Sequence, residues 1–489
     1  MELDVPLRTW GRIGVAFVGA VLSSSLLQSF PTFEPILLDR RPARGAGLFS
    51  ELCNSTGPSL PLNDTRLDAC QPQLDEATQL YSISLGLSVA TSLLTGWLYD
   101  VMGPRASVVL GALLTSAGLA SLTLGLGDPG GNWLVWAGSS FADCAGSMVS
   151  MAMFGFIWHV PRHQAMLTAL VASATGLSSY MAVAANWLVS LGMRPRNVWL
   201  VFAAGALLSA GILALSAVSR AELHERATAI TGVSSKSTAA SVPAAVRDVL
   251  RVWRGSSPAV LWLFFAYTCA TYVMFGSWSA NYVSLLNALL PKGDDAARLV
   301  AAFALVSGLL GALTHPLLTG YLFDRIGIRL FLLVTNLGML ALLTLMPIPS
   351  YAAQLAALVL GVQTTYAWAV CVMNWAVAIV PPSLVGTCVG LMFAAAGLLQ
   401  MAAVACQDQV ARALGARTKL QTIIRPIMLY GSVALLLGAA VSAATARRMP
   451  LRPDSAKPGG AINAEGEPDD GCLGAGRLDQ ALLGEPAGS

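Results

Sequence analysis

Charged residues are scarce in this sequence. Lys, Arg, Asp and Glu together make up 11% of its 489 residues, whereas an ordinary soluble protein has about 25%. So few charges cannot cover a water-facing surface of this size, and hydrophobic residues make up 55% of the chain. Most of the outer surface must therefore face an apolar medium, which predicts a membrane protein and excludes a row of soluble domains.

The sequence also lacks the patterns of several other classes of protein. A net charge of +3 with no basic stripe excludes a surface built for nucleic acid. No spacing of Cys and His is typical of a metal site, and no nucleophile–base pair marks the apolar runs. We therefore expect neither an enzyme nor a bound cofactor or metal. The apolar run 13–30 has no clear cleavage site after it, which predicts a retained span rather than a signal peptide.

Long apolar runs dominate what is present. A helix of about 20 residues crosses a hydrocarbon core of about 30 Å, and runs of this length recur without the alternation of a membrane β-barrel. The sequence predicts an all-α membrane protein with twelve transmembrane helices in two six-helix, pseudo-symmetric bundles. The run 351–380 leaves room for a re-entrant kink, so the count stays open.

The polar segments between the runs set the predicted division of the chain. In order, they give a cytoplasmic N-terminus (1–12), an N-terminal bundle (13–218) with a luminal or extracellular loop (33–76), a cytoplasmic central loop (219–258), a C-terminal bundle (259–446) and a disordered cytoplasmic tail (447–489).

One short motif occurs twice, each time after the second apolar run of its half. The copies read Gly96-Trp-Leu-Tyr-Asp100-Val-Met-Gly103-Pro-Arg105 and Gly320-Tyr-Leu-Phe-Asp324-Arg-Ile-Gly327-Ile-Arg329. The second copy begins 224 residues after the first (320 against 96). The first glycine of each copy permits close helix contact, the aspartate can pair with a helix N-terminus or an arginine, and the second glycine permits a tight turn. We expect a latch between the bundles; the alternative is a plain turn whose charges set topology.

The duplicated motif resembles the loop motif of the major facilitator superfamily, and this resemblance extends over 13–446. It implies transport by alternating access, with a substrate site between the two halves near mid-bilayer. Two further stretches look like solute carrier family 43, namely Gly47-Leu-Phe-Ser-Glu-Leu52-Cys53 and Cys70-Gln-Pro-Gln73. Partial matches lie at 161–170, 385–391 and 398–400. That family contains facilitative carriers of large neutral amino acids and a relative that carries purine nucleobases, and related amino-acid carriers occur in apicomplexan parasites.

The orientation follows from charge and from the first long loop. Placing both termini in the cytoplasm puts the basic central loop inside, as the positive-inside rule favours, although basic residues before the last span oppose it. The first loop holds two glycosylation sequons, at Asn54 and Asn63, together with Cys53 and Cys70. Glycosylation and a disulfide both need a luminal or extracellular loop. The alternative is that the sequons are accidental and the cysteines are free.

The apolar runs contain few titratable residues, essentially Asp143 and His315. Proton-coupled carriers use such groups as relays, so their scarcity favours facilitated diffusion of a small neutral or zwitterionic solute. The candidates for binding it are polar residues of the runs: Asp143, Ser173, Ser178, Tyr272, Ser277, Asn281, Gln363, Tyr366, Asn374 and Gln400. Each uncharged candidate has an alternative use in helix packing.

Asp143 leaves the function open, because a carboxylate at membrane depth is costly and usually functional. It could bind a substrate amine, move a proton or pair with another span; members of family 43 look uncharged there. The lead hypothesis is a uniporter of large neutral amino acids. The alternatives are a nucleobase or cationic amino acid carrier, coupled to protons through Asp143, and a transporter-like receptor or scaffold.

We expect the partners to be a small-molecule substrate and the lipid bilayer, without nucleic acid, and the working form to be a monomer. The plasma membrane is the first expectation for location. An endolysosomal membrane is the alternative, because the tail stretch Asp479-Gln-Ala-Leu482-Leu483 resembles an acidic dileucine sorting signal.

Overall fold

The computed structural model describes residues 6–23, 71–126, 131–178, 180–231, 241–255, 258–290 and 293–446. Within these ranges all regular structure is helical, and no strand occurs. The predicted first loop (33–76) lies outside the described residues as far as residue 70, with Asn54, Asn63, Cys53 and Cys70, and its last residues, 71–76, form the start of a helix. The tail also lies outside the described residues. The predicted glycosylation, the predicted disulfide and the sorting signal therefore stay predictions.

In the described residues, eight helices precede the central connection, which we take as residues 219–258. They are α1 (Leu7–Ser23), α2 (Gln71–Ala90), α3 (Ser92–Met102), α4 (Pro104–Gly125), α5 (Asn132–Met153), α6 (Gln164–Leu177), α7 (Tyr180–Ser190) and α8 (Pro195–Ser216). Helix α3 continues α2 after the single residue Thr91, and the 3₁₀ segments Phe154–His159 and Pro161–His163 lead from α5 to α6.

The central connection contains two helices, α9 (Arg220–Thr231) and α10 (Val242–Gly255). Ser219 and Glu222 form a capping box at the start of α9, because each side chain accepts from the other residue's backbone N–H, at 3.2 and 3.4 Å. Helix α10 is amphipathic: Ala245, Val249 and Trp253 are buried, whereas its arginines face outward. The polar stretch of the sequence is thus ordered helix over much of its length.

The part of the second half that the structure describes contains nine helices. They are α11 (Pro258–Ala280), α12 (Tyr282–Leu289), α13 (Gly293–Leu305), α14 (Gly311–Thr314), α15 (Tyr321–Leu345), α16 (Tyr351–Ile379), α17 (Val385–Ala405), α18 (Gln407–Ala413) and α19 (Lys419–Ala446). The π-helical segments Val306–Leu310 and His315–Gly320 flank α14. The side chain of His315 lies outside what the structure describes. Helix α16 runs for 29 residues as one helix, so the re-entrant kink considered for this run does not occur.

Nine helices in the described ranges are long and apolar enough to cross a membrane. Large apolar side chains such as Leu208, Leu215 and Leu436 are exposed on their outer faces, as lipid contact requires. The predicted all-α membrane fold is therefore confirmed. The count of twelve stays a prediction: Leu318–Leu345 counts once, although Gly327, with φ 73° and ψ 167°, breaks it, and α6 is apolar but short.

Helices from the two halves meet along two lines. On one line, α2 and α3 pack against α17; on the other, α6 packs against the π-helical segment before α15 and against α16. Glycines permit the first contact, because a side chain at Gly390 would overlap the backbone at Ser92, and one at Gly397 would overlap the backbone at Gly86 and Ala90. The space between these two lines holds the candidate site.

Candidate functional site

A cavity of about 260 Å³ lies between the two halves. Helices α2, α5 and α6 form its wall in the first half, and α11, α13, α16 and α17 contribute the wall of the second. The polar side chains among its lining residues are Tyr81, Ser88, Ser92, Asp143, Ser147, Ser150, Thr168, Thr175, Tyr272, Trp278, Ser279, Ser307, Thr365, Tyr366 and Trp368. Asp143, Tyr272 and Tyr366 lie near the middle of their helices, which places the cavity at mid-depth.

Three of the ten candidate residues line this cavity, namely Asp143, Tyr272 and Tyr366. Asp143 is fully buried, with 0% of its surface exposed. It is also the one acidic residue among the described lining residues, which include no lysine, arginine or histidine. The net charge that the described lining can present is therefore negative or zero.

The other seven candidates are not among the described lining residues. Ser277 is buried, and the other six bond to helix backbone or to other polar side chains. Ser173 donates to the carbonyl of Ala169 at 2.8 Å, and Ser178 to that of Thr175 at 2.6 Å. Asn374 likewise donates to the carbonyl of its own helix four residues earlier, at 2.8 Å. These three side chains bond to the turn before them, the commonest use of a polar residue in a membrane helix.

The amides of the remaining candidates join helices within the second half. Asn281 donates to the carbonyl of Ser277 at 2.9 Å and lies 3.3 Å from the side-chain oxygen of Gln407. Gln363 donates to the hydroxyl of Thr314 at 2.6 Å. Gln400 is fully buried, and its amide can donate to the carbonyl of Val273 at 2.9 Å while accepting from the N–H of Ser277 at 3.2 Å.

The first half supplies a hydroxyl-rich wall that the sequence interpretation missed. Ser147 and Ser150 follow Asp143 at four and seven residues, which places all three on one face of α5. The hydroxyls of Ser88 and Ser147 lie 2.7 Å apart, and that of Ser88 also lies 3.0 Å from the carbonyl of Asp143. This helical spacing from Asp143 is the signal that could have identified the wall from the sequence.

The second half supplies a mainly aromatic wall. The rings of Tyr272 and Trp368 have centroids 5.8 Å apart, and those of Trp368 and Phe393 5.7 Å apart. Further lining rings are Phe275, Trp278, Phe303 and Tyr366. The cavity thus faces a solute with a carboxylate and hydroxyls on one side and with aromatic rings on the other.

Each copy of the duplicated motif binds a helix N-terminus in the opposite half. Asp100 accepts from the backbone N–H groups of Gly386 and Thr387 at 3.0 and 2.7 Å, and from the Thr387 hydroxyl at 2.7 Å. Asp324 accepts from the N–H groups of Ala165 and Met166, both at 3.2 Å. The unpaired N–H groups and dipole of a helix N-terminus favour such an anion. We call the end of the molecule with these two contacts the motif end.

The glycines of the motif serve the same two contacts. A side chain on Gly96 would overlap the carbonyl of Gly386, and one on Gly320 would come within 2.5 Å of the Cα of Met166. Gly103 and Gly327 have φ values of 83° and 73°, a region that L side chains rarely adopt.

The two motif arginines follow these turns. Arg105 donates to the carbonyl of Ala217 at 2.9 Å, which attaches the first motif loop to the end of α8. Arg329 is partly buried, two residues after the break at Gly327.

A third charged cluster joins the first half to the central connection. Arg12 donates to both carboxylate oxygens of Glu222, at 2.7 and 3.2 Å, and the ring of His159 lies 3.0 Å from the same carboxylate. The Arg12 guanidinium holds the pKa of Glu222 well below its usual range, at about 2. This cluster joins α1, α9 and the end of the span that contains α5. Sequence interpretation did not single it out, although the capping-box spacing marks Glu222.

A helical membrane protein with a central cavity between two halves, joined by reciprocal contacts at one end, has the architecture of a secondary transporter. The sequence model of the Major Facilitator Superfamily matches residues 46–404, so the chain belongs to that superfamily. Its members are transporters, which makes this protein an integral, multi-pass membrane transporter of small molecules and not an enzyme.

Solved structures agree with this fold. A mutant of the peptide transporter POT is 14% identical, with a TM-score of 0.55 and coverage of 89% of this chain and 94% of that one. A mutant of the Escherichia coli fucose:proton symporter FucP is 13% identical, with a TM-score of 0.51 and coverage of 88% and 98%. The proton:xylose symporter XylE, bound to a bromodeoxyglucose, is 13% identical, with a TM-score of 0.58 and coverage of 88% and 94%. Curated protein sequences give no match.

Proposed function

We propose that the protein is a facilitative carrier of large neutral amino acids, which it moves through the central cavity by alternating access. The observation that carries this proposal is the composition of the cavity, with a single carboxylate opposite a mainly aromatic wall. An ammonium group suits Asp143, and a large apolar side chain suits the rings. The resemblance to solute carrier family 43 supports the same substrates. The similar solved structures are those of a peptide transporter, a fucose symporter and a xylose symporter, so they do not select a substrate for this chain.

The motif contacts supply the conformational part of the proposal. Asp100 and Asp324 each join one half to the other at the motif end, and a path from the cavity through that end requires both contacts to open. We assign them the role of latches and place the motif end in the cytoplasm, because the basic central connection lies beside it. The state described here is then closed to the cytoplasm.

Uniport is the coupling that we propose, because Asp143 is the one acidic residue and no histidine occurs among the described lining residues. The presence of Asp143 in the cavity also supports a second candidate, a proton-coupled carrier of cationic amino acids or nucleobases. We further propose that the protein works as a monomer in the plasma membrane.

An uptake panel tests both candidates. Cells that express the protein, with surface biotinylation to confirm its delivery, receive labelled leucine, arginine or adenine at two external pH values; vector-only cells are the control. The expected result is leucine uptake that is independent of pH and accelerated when the cells are preloaded with unlabelled leucine. Uptake of arginine or adenine alone, or uptake driven by acid, would favour the second candidate. If no solute enters in spite of surface expression, the amino-acid proposal is wrong and a receptor or scaffold becomes the better interpretation.

A further inference from the structure

The described lining residues of the cavity include a negatively charged group and no positively charged group. This determines which charged group of a solute the cavity can bind. Asp143 is a buried carboxylate on the lining, and the described lining residues supply no cationic side chain. An ammonium group placed beside Asp143 gains a charge-assisted hydrogen bond. A carboxylate in the same cavity of about 260 Å³ has no cationic partner among the described lining residues and is repelled by Asp143, since like charges repel strongly at short range away from water.

Hydroxyl groups replace such a cation poorly here, because several of those near Asp143 already bond within the protein. Ser147 lies 3.3 Å from the carbonyl of Asp143, and Ser150 and Thr175 have hydroxyls 3.1 Å apart. The hydroxyl of Tyr81 lies 2.9 Å from that of Ser279 in the opposite half. A solute carboxylate must displace these bonds in order to be paired, whereas an ammonium group needs acceptors, which serine, threonine and tyrosine oxygens also provide.

The aromatic wall favours the same charge. Ring faces attract cations and apolar groups, and they give nothing to an anion. Tyr272, Trp368 and Phe393 form a continuous series of ring contacts in that wall, and further rings lie beside them.

We infer that the cavity recognises its substrate by the ammonium group, through Asp143, and not by the carboxylate. The ligand class then extends beyond amino acids to monoamines with an aromatic or bulky apolar body. This inference rests on the proposed function for the location of the site, and it predicts a ligand preference that the amino-acid proposal does not require.

The test compares three ligands that share a phenyl ring and a two-carbon chain: 2-phenylethylamine, L-phenylalanine and 3-phenylpropionate. Each is titrated into the purified full-length protein in lipid nanodiscs, with calorimetry and thermal shift as the readouts. We expect the amine to bind at least as tightly as the amino acid and the acid to give no saturable signal. This ligand series uses the unaltered protein, so it does not depend on the folding of any variant.

A matched pair of variants assigns the preference to Asp143. Asp143→Asn keeps the shape of the side chain and removes its charge, and we expect amine binding about 10- to 100-fold weaker, as for loss of a charged hydrogen bond. Asp248→Asn makes the same change on α10, outside the cavity, and leaves amine binding unchanged.

The outcomes separate the inference from the proposed function. Binding of phenylalanine without the amine, or equal binding of the amine to Asp143→Asn and the unaltered protein, overturns the inference and leaves the amino-acid proposal standing. Binding of the amine without phenylalanine supports the inference and overturns that proposal. Absence of binding by all three ligands overturns both.

Discussion

The two motif contacts occupy equivalent places in the two halves but are built to different strengths. Asp100 is 7% exposed and accepts three hydrogen bonds of 2.7 to 3.0 Å. Asp324 is only half-buried and accepts two, both at 3.2 Å. One side chain explains the extra bond: the helix bound by Asp100 has Thr387 where the helix bound by Asp324 has Met166. A repeated motif therefore gives the same geometry twice without giving the same stability twice.

The largest effect is expected from Asp100→Ala. It removes three bonds to a charged acceptor and leaves the first N–H groups of α17 without that partner, at a cost of about 3 kcal/mol or more. The ratio of molecules open to closed at the motif end then rises about 100-fold or more. Pulsed-EPR distances between spin labels at Met102 and Arg325, in the two halves, measure that ratio. Asp324→Ala is the matched comparison, with an expected rise of about tenfold; a larger rise than for Asp100→Ala would contradict the ranking.

A somewhat smaller effect is expected from Gly96→Ala. The added methyl group overlaps the backbone carbonyl of Gly386, so α3 and α17 must separate, at a cost of about 1 to 3 kcal/mol. In Gly320→Ala the added methyl group would lie 2.5 Å from the Cα of Met166, and this variant is expected to shift the same spin-label distances less than Gly96→Ala does. Gly205→Ala is the control, since nothing lies within 4 Å of that position. Equal shifts in all three variants would show that these glycines do not set the approach of the halves.

The next change tests whether the Thr387 hydroxyl makes the Asp100 contact stronger than the Asp324 contact. Thr387→Val keeps the branched shape but removes the hydroxyl bond to Asp100, at a cost of about 1.5 kcal/mol. The open-to-closed ratio is expected to rise about tenfold, to near the value that disruption of the second contact gives. An unchanged ratio would show that the two backbone N–H groups alone hold Asp100.

The converse change strengthens the weaker contact. Met166→Thr places a hydroxyl where Thr387 has one in the other half, next to an Asp324 oxygen. We expect a gain of about 1 kcal/mol and an open-to-closed ratio several-fold lower in the same EPR measurement, with Met166→Val as the control for shape. If the threonine and valine variants give the same ratio, the two contacts differ for a reason other than this side chain.

The smallest effect on the two motif contacts is expected from Glu222→Gln, because the Arg12–Glu222–His159 cluster joins the first half to the central connection and includes no residue of the second half. The free energy of unfolding is expected to fall by about 1 kcal/mol or less, as for loss of a partly exposed ion pair, while the spin-label distances stay unchanged. A change in those distances would show that the cluster is coupled to the contact between the halves.

The pH dependence of this cluster follows from the depressed pKa of Glu222, about 2. The stabilisation is fully present above the ordinary carboxyl pKa of about 4.3 and is lost as the pH falls towards 2. Thermal unfolding of the unaltered protein and of Glu222→Gln, between pH 6 and pH 2, measures the loss. The two proteins are expected to converge at the acid end, and a constant difference across this range would contradict the assignment.

The substrate cavity was harder to predict from the sequence than the motif contacts. The motif pairs residue types whose needs are local: Asp100 needs N–H donors, and a helix N-terminus provides them. The cavity depends on the rotation of each helix about its axis. Gln400 and Asn374 are as polar as Ser147 and Thr365, and all four bond to helix backbone, yet only Ser147 and Thr365 line the cavity. Polarity alone does not separate these uses, because a polar side chain in a membrane helix must find a partner in either case.

The sequence by itself determined the membrane class, the superfamily architecture and the existence of two related halves. The length of an apolar run and the 224-residue separation of two glycines (320 against 96) are properties of the chain, and they do not depend on how it packs. Only the tertiary structure decided that Asp100 meets Thr387, 287 residues away, and that α5 turns Asp143, Ser147 and Ser150 towards one cavity. These choices depend on close packing of whole helices, in which small residues such as Gly96 and Gly386 fix how near and at what rotation two helices meet.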